Sequence, residues 1–145
     1  MKYFLLVTCS LFSLNLSAQV IPNGANIIVI KDVGFIEVCN ALLDSGYNIS
    51  KKDNELHTVS TESKEYKKLW NASYKINIRI KDSVAYVSGT VTSPPNGSGL
   101  FVNEPVFNHT SAKGKTFPKS LYGYAFNILN NFALGFRREV SYEKR

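Results

Sequence analysis

The chain has 145 residues, 44% of them hydrophobic and 12% aromatic, which suits one domain with an apolar core and excludes wholesale disorder. It carries 17 Lys and Arg against 11 Asp and Glu, a net charge of +6. Two cysteines are too few for a disulfide scaffold, so the fold has to stand on its core.

Lys2 opens the sequence with a positive charge, Tyr3 to Leu16 is mostly apolar, and Leu16-Ser17-Ala18 ends on a small residue. This is the layout of a secretory signal peptide cleaved after Ala18. Thr8, Ser10, Ser13 and Asn15 interrupt the run, whereas a membrane span needs about 20 apolar residues, so no transmembrane segment is expected. Cys9 follows Leu6-Val7-Thr8, a loose likeness to a lipidation box. The apolar stretch before it, Tyr3 to Val7, is shorter than the about 7–15 residues such a signal uses. Lipid anchoring at Cys9 is therefore the minor alternative to a secreted, periplasmic or cell-envelope protein.

Loss of Lys2 with the signal lowers the net charge from +6 to +5. The basic residues are dispersed, the pattern of a solvated surface, with weak contact to an anionic surface as the alternative. Export argues against a nucleic-acid partner. Cys39 becomes the last thiol, on the apolar face of a predicted helix, where it acts as a small buried hydrophobe.

After a linker over 19–25, Asn26 to Ile30 is a β-branched run predicted as a strand buried on both faces. From Gly34 the period changes. Phe35, Val38, Cys39, Leu42 and Leu43 mark an amphipathic helix, with Asp32 as its cap and Gly46 as its stop. Tyr47 and Ile49 resume period two, Lys51 to Glu55 is a polar turn, and Leu56 to Thr61 returns as a strand that includes His57. Glu62 to Lys68 reads as a surface connection.

Tyr74, Ile76, Ile78 and Ile80 alternate with Lys75, Asn77, Arg79 and Lys81, the period of a half-buried strand. Asp82-Ser83 interrupts them and Val84 to Val91 follows, so the pair predicts an antiparallel hairpin. Thr92 to Gly99 and Asn108 to Lys119 read as loops, with Leu100-Phe101-Val102 a short edge strand whose extension Pro105 limits. From Ser120, Leu121, Ala125, Ile128, Leu129, Phe132 and Phe136 trace a late helix, broadened by Tyr122, Tyr124, Phe126 and Leu134, and Arg137-Arg138 suit its end.

The expected architecture is α+β, with an antiparallel sheet of about five to six strands and two helices on one face. The element order is β-α-β-β-β-β-(β)-α. A single domain spans 26–136, between the linker and a polar tail over 137–145. The stretch FIEVCNALLDSGYNISKKDNELHTVST, Phe35 to Thr61, resembles a segment of small exported bacterial proteins of BamC-like and TATA-binding-protein-like folds. It shares a helix ending in a Gly-aromatic pair (Gly46-Tyr47), an acidic turn residue (Asp53) and a strand ending in Thr. The hairpin IRIKDSVAYVSGTV and the late helix follow the same outline. The glycine usual after the acidic turn residue is missing, and the loops at 92–99 and 108–119 are long. The resemblance implies a fold and an envelope setting, with no functional residue to carry over.

His57 and His109 lie in separate segments with no partner at metal-ligand spacing, so no metal or cofactor is expected. No Gly-x-Ser-x-Gly elbow or phosphate loop is present, and no catalytic residue is assigned. Trp70 with Tyr66 and Tyr74 has the aromatic surface for a binding platform under a sugar ring or a partner chain. The competing reading folds Trp70 back over the core edge. The expected function is thus non-enzymatic binding of a protein or envelope component. The alternative is a small secreted hydrolase whose Ser, His and carboxylate residues come together only on folding.

Overall fold

A computed structural model of the chain describes residues 20–66, 72–93, 102–108 and 120–145. The signal peptide, Cys9, Trp70, His109, Leu100-Phe101 and most of both long loops lie outside these residues. The described residues form an α+β structure, with eight strands in one antiparallel sheet and two helices.

The organising element is the hairpin of β5 (Ser73–Lys81) and β6 (Val84–Ser93). Its register runs unbroken from Ser73↔Thr92 to Lys81↔Val84. Asp82 and Ser83 turn the chain with φ of 51° and 59°. Two positive φ values in a two-residue loop match the right-handed twist of the flanking strands.

Each long strand is flanked by two short ones. β3 (Thr58–Thr61) and β4 (Lys64–Glu65) take successive stretches of β5, and β1 (Ile27–Ile30) and β7 (Val102–Pro105) pair with successive stretches of β6. Between β3 and β4 the Ile76 N–H donates to Thr61 Oγ1 at 3.0 Å, so the buried threonine closes the break in the ladder. β2 (Ile49–Asp53) lies outside β3, and β8 (Val140–Glu143) outside β1.

α1 (Phe35–Asp44) buries Val38, Cys39 and Leu42, and α2 (Leu121–Leu134) buries Ala125, Phe126, Leu129 and Ala133. Both join one core cluster with Tyr74, Ile76, Ile78 and Ile80 of β5 and with Ala85, Val87 and Val91 of β6. These strand residues share one parity, so both helices cover the same face of the sheet. α1 ends as its glycine predicts. Gly46 takes φ +73°, the Tyr47 N–H donates to the Leu42 carbonyl (3.0 Å) and the Gly46 N–H to that of Leu43 (2.9 Å). At the start of α2 the Ser120 side chain accepts from the Gly123 N–H at 3.1 Å.

Several expectations need correction. Strand count and order differ, because two-residue and four-residue strands leave too little periodicity to read. The polar tail contains β8, which pairs Ile30 with Val140 and Ile28 with Tyr142. Lys64–Glu65, expected as a connection, pairs with β5. The stretch expected as a linker is tied down: Ala25 is fully buried, and Asn108 exchanges backbone hydrogen bonds with Gly24 and Ala25 (2.8 and 2.7 Å).

Local details shift as well. The turn between β2 and β3 falls at 54–57, so His57 is a turn residue at φ 48° beside the Phe35 ring, 5.3 Å between centroids. Gly34, not Asp32, caps α1; its N–H meets Glu37 Oε2 at 3.4 Å while Asp32 turns the chain at φ 55°. Leu43 and Leu134 are 55% and 51% exposed, so the helices bury narrower stripes than expected. Arg137-Arg138 follow the end of α2, where Arg138 reaches Glu37 at 3.7 Å.

Candidate binding face

The helices cover one face of the sheet, and β5 shows what the other presents. With Tyr74, Ile76, Ile78 and Ile80 turned to the core, Lys75, Asn77, Arg79 and Lys81 point the opposite way. The register extends this side across the sheet. Asn77 lies between Ser60 of β3 and Ser88 of β6, and Arg79 between Thr58 and Tyr86. Val29 of β1 pairs with Tyr86 on one side and Ser141 on the other. Lys51 and Asp53 of β2 stand opposite Ser60 and Thr58 and so share the face.

Part of this side, from Thr58 and Ser60 across Asn77, Arg79 and Lys81 to Tyr86 and Ser88, lines a concavity of about 450 Å³. Its polar lining comes from Thr58, Ser60, Asn77 and Ser88, its cations from Arg79, Lys81 and Arg145, and its one ring from Tyr86. Arg145 reaches the face because Asn26 holds it. The Asn26 amide donates to the Arg145 carbonyl at 2.8 Å, and the Arg145 N–H donates to Asn26 Oδ1 at 2.9 Å. The guanidinium then sits 5.3 Å from the centroid of the Tyr86 ring.

The charge on this side is lopsided. Within the paired strands Lys51, Lys75, Arg79 and Lys81, together with Arg145, share this side with Asp53, Glu65 and Glu143. Two of these acids are already engaged. Asp53 Oδ1 accepts from the Glu55 and Leu56 N–H groups at 3.0 and 2.9 Å, and Glu143 lies 3.2 Å from Arg145. Among the described residues, Lys75, Arg79 and Lys81 have no ion-pair partner. A concave surface with unpaired cations focuses an electrostatic field on whatever negative charge approaches.

Of the aromatic residues singled out in the sequence, Tyr66 and Tyr74 do come together, on the helix-covered side. Their rings lie 6.2 Å apart, and the Tyr47 and Tyr74 hydroxyls are 3.4 Å apart. Tyr74 is only 7% exposed, which leaves little ring surface for a ligand, and burial pushes its phenol far above the ordinary value. Tyr66 is half-buried between Tyr74 and Tyr124, 5.9 Å from the latter, and burial raises its phenol too. Trp70, the third member, lies outside the described residues.

The open face was half legible in the sequence. The row Lys75-Asn77-Arg79-Lys81 is visible as a polar alternation without a carboxylate, and that is the signal. Its convergence with Ser60, Tyr86, Ser88 and Arg145 depends on pairings that cross much of the chain.

Fold and face together define an α+β protein whose antiparallel sheet is helix-covered on one side and open, concave and basic on the other. No protein-family model and no curated protein matches the chain. No described helix is long and apolar enough to cross a membrane.

Proposed function

We propose that the protein is an exported, non-enzymatic module of the cell envelope or the secreted fraction, and that it acts by binding. The observation that carries this reading is the open sheet face, where unpaired Arg79, Lys75 and Lys81 surround hydroxyl and amide groups. These are groups that hold a ligand by charge and hydrogen bonds. The signal-peptide layout of residues 1–18 supports export. The likeness of Phe35 to Thr61 to small exported bacterial proteins supports an envelope setting.

Co-sedimentation with washed envelopes from the producing cells tests the proposal. The exported chain should pellet with them, and the Arg79→Glu/Lys81→Glu variant should stay in the supernatant. Equal pelleting of both, or none of either, would overturn binding through this face. An intact mass showing lipid on Cys9 would replace the soluble form with an anchored one.

A further inference from the structure

The groups on the open face also specify what it holds, given that the face is the binding site. We infer that its occupant is an anionic polysaccharide, a chain of sugar rings bearing carboxylate or phosphate groups. Lys75, Arg79 and Lys81 lie along one strand, and a residue rises about 3.3 Å, so the row spans roughly 20 Å. That is the reach of an extended chain ligand. Arg79 offers a planar fork matched to a carboxylate or phosphate. Between the cations, Thr58, Ser60, Asn77 and Ser88 offer neutral donors and acceptors that suit sugar hydroxyls.

Other anionic partners fit less well. A folded protein partner would need large apolar or aromatic anchors. Among the described residues, the exposed large hydrophobics are Val20, Ile36, Leu43, Leu56 and Leu134, none of which lines the concavity. A single-stranded nucleic acid needs rings on which successive bases stack. The one ring here, Tyr86, already has the Arg145 guanidinium over it. A flat bilayer does not follow a concave surface, and Ile27, half-buried in β1, is no insertion group.

The test is a titration of the exported chain with polygalacturonate, with neutral dextran, single-stranded DNA and anionic-lipid vesicles in parallel. Polygalacturonate should bind in a salt-sensitive way and compete with washed envelopes. Arg79→Glu and Arg145→Glu should each weaken it by about tenfold, the effect of losing one charge-assisted contact. Lys52→Glu, on the opposite parity of β2, should bind as wild type. Thermal melts matching wild type show that the reversals act on binding. Absence of polygalacturonate binding, dextran binding as tightly, or DNA or vesicles binding more tightly would each overturn the inference. If envelopes still pellet the wild type but not the face variant in those cases, the binding reading survives and only the ligand class falls.

Discussion

Leu129 of α2 rests on the backbone of β6 at Gly89. A Cβ at that glycine would lie 3.0 Å from Leu129 Cδ2, 3.1 Å from the Lys75 carbonyl oxygen and 3.1 Å from Val106 Cγ2. The missing side chain therefore sets how closely the late helix approaches the sheet.

Glycine in a strand ordinarily costs stability relative to alanine. At position 89 the sign should reverse, because the Lys75 carbonyl belongs to the paired strand and cannot swing away. Gly89→Ala should lower stability by about 1–3 kcal/mol in urea melts. An unchanged or raised midpoint would show that α2 has room to move.

Leu42 is fully buried in the shared core, and Phe132 only half-buried, its ring edge-on to Tyr47 at 6.4 Å and to Phe136 at 5.3 Å. Leu42→Ala should cost about 2–5 kcal/mol, and Phe132→Ala should cost less than Leu42→Ala because its ring keeps part of its surface in water. With the described Cys39 free rather than bridged, the Leu42 loss is a large share of a small domain's stability. Denaturant midpoints in the reverse order would contradict a core centred on α1 and the sheet.

The β5–β6 turn asks two L-residues to adopt positive φ, which strains side-chain-bearing backbone. Replacing Asp82-Ser83 with Asn-Gly should raise stability by about 0.5–1 kcal/mol, after allowing for the glycine's freedom when unfolded. The Val33 N–H bond to the Ser83 carbonyl, 3.0 Å, is a backbone contact and survives the change. A lower melting midpoint would mean that one of the two side chains makes a contact worth more than the strain.

Alkaline pH offers a fourth test. The Tyr122 hydroxyl donates to Glu104, and this bond together with burial pushes its phenol up to about 12 from the ordinary 10. The folded protein keeps a proton that the unfolded chain releases above about pH 10. This contribution is complete below pH 10 and is lost as pH rises through about 12. Denaturant midpoints should therefore fall less steeply over that range in Tyr122→Phe than in wild type. Parallel slopes would show an unshifted phenol.

What the sequence determined on its own is what short-range periodicity can carry. The alternation of Tyr74 to Lys81 specifies β5, the stripe of Val38, Cys39 and Leu42 specifies α1, and Gly46 stops it, because each signal lies within a few residues. Even the cationic row of the open face is visible as Lys75, Arg79 and Lys81. The tertiary structure decided which strands become neighbours. Nothing local in Val140–Glu143 says that it pairs with Ile27–Ile30, more than a hundred residues away, yet that pairing delivers Arg145 to Tyr86. That both helices cover the isoleucine side, by contrast, follows from their apolar stripes and is what the core shows. A strand's period states that it has two faces, and only the partners that bury one of them determine which is left open.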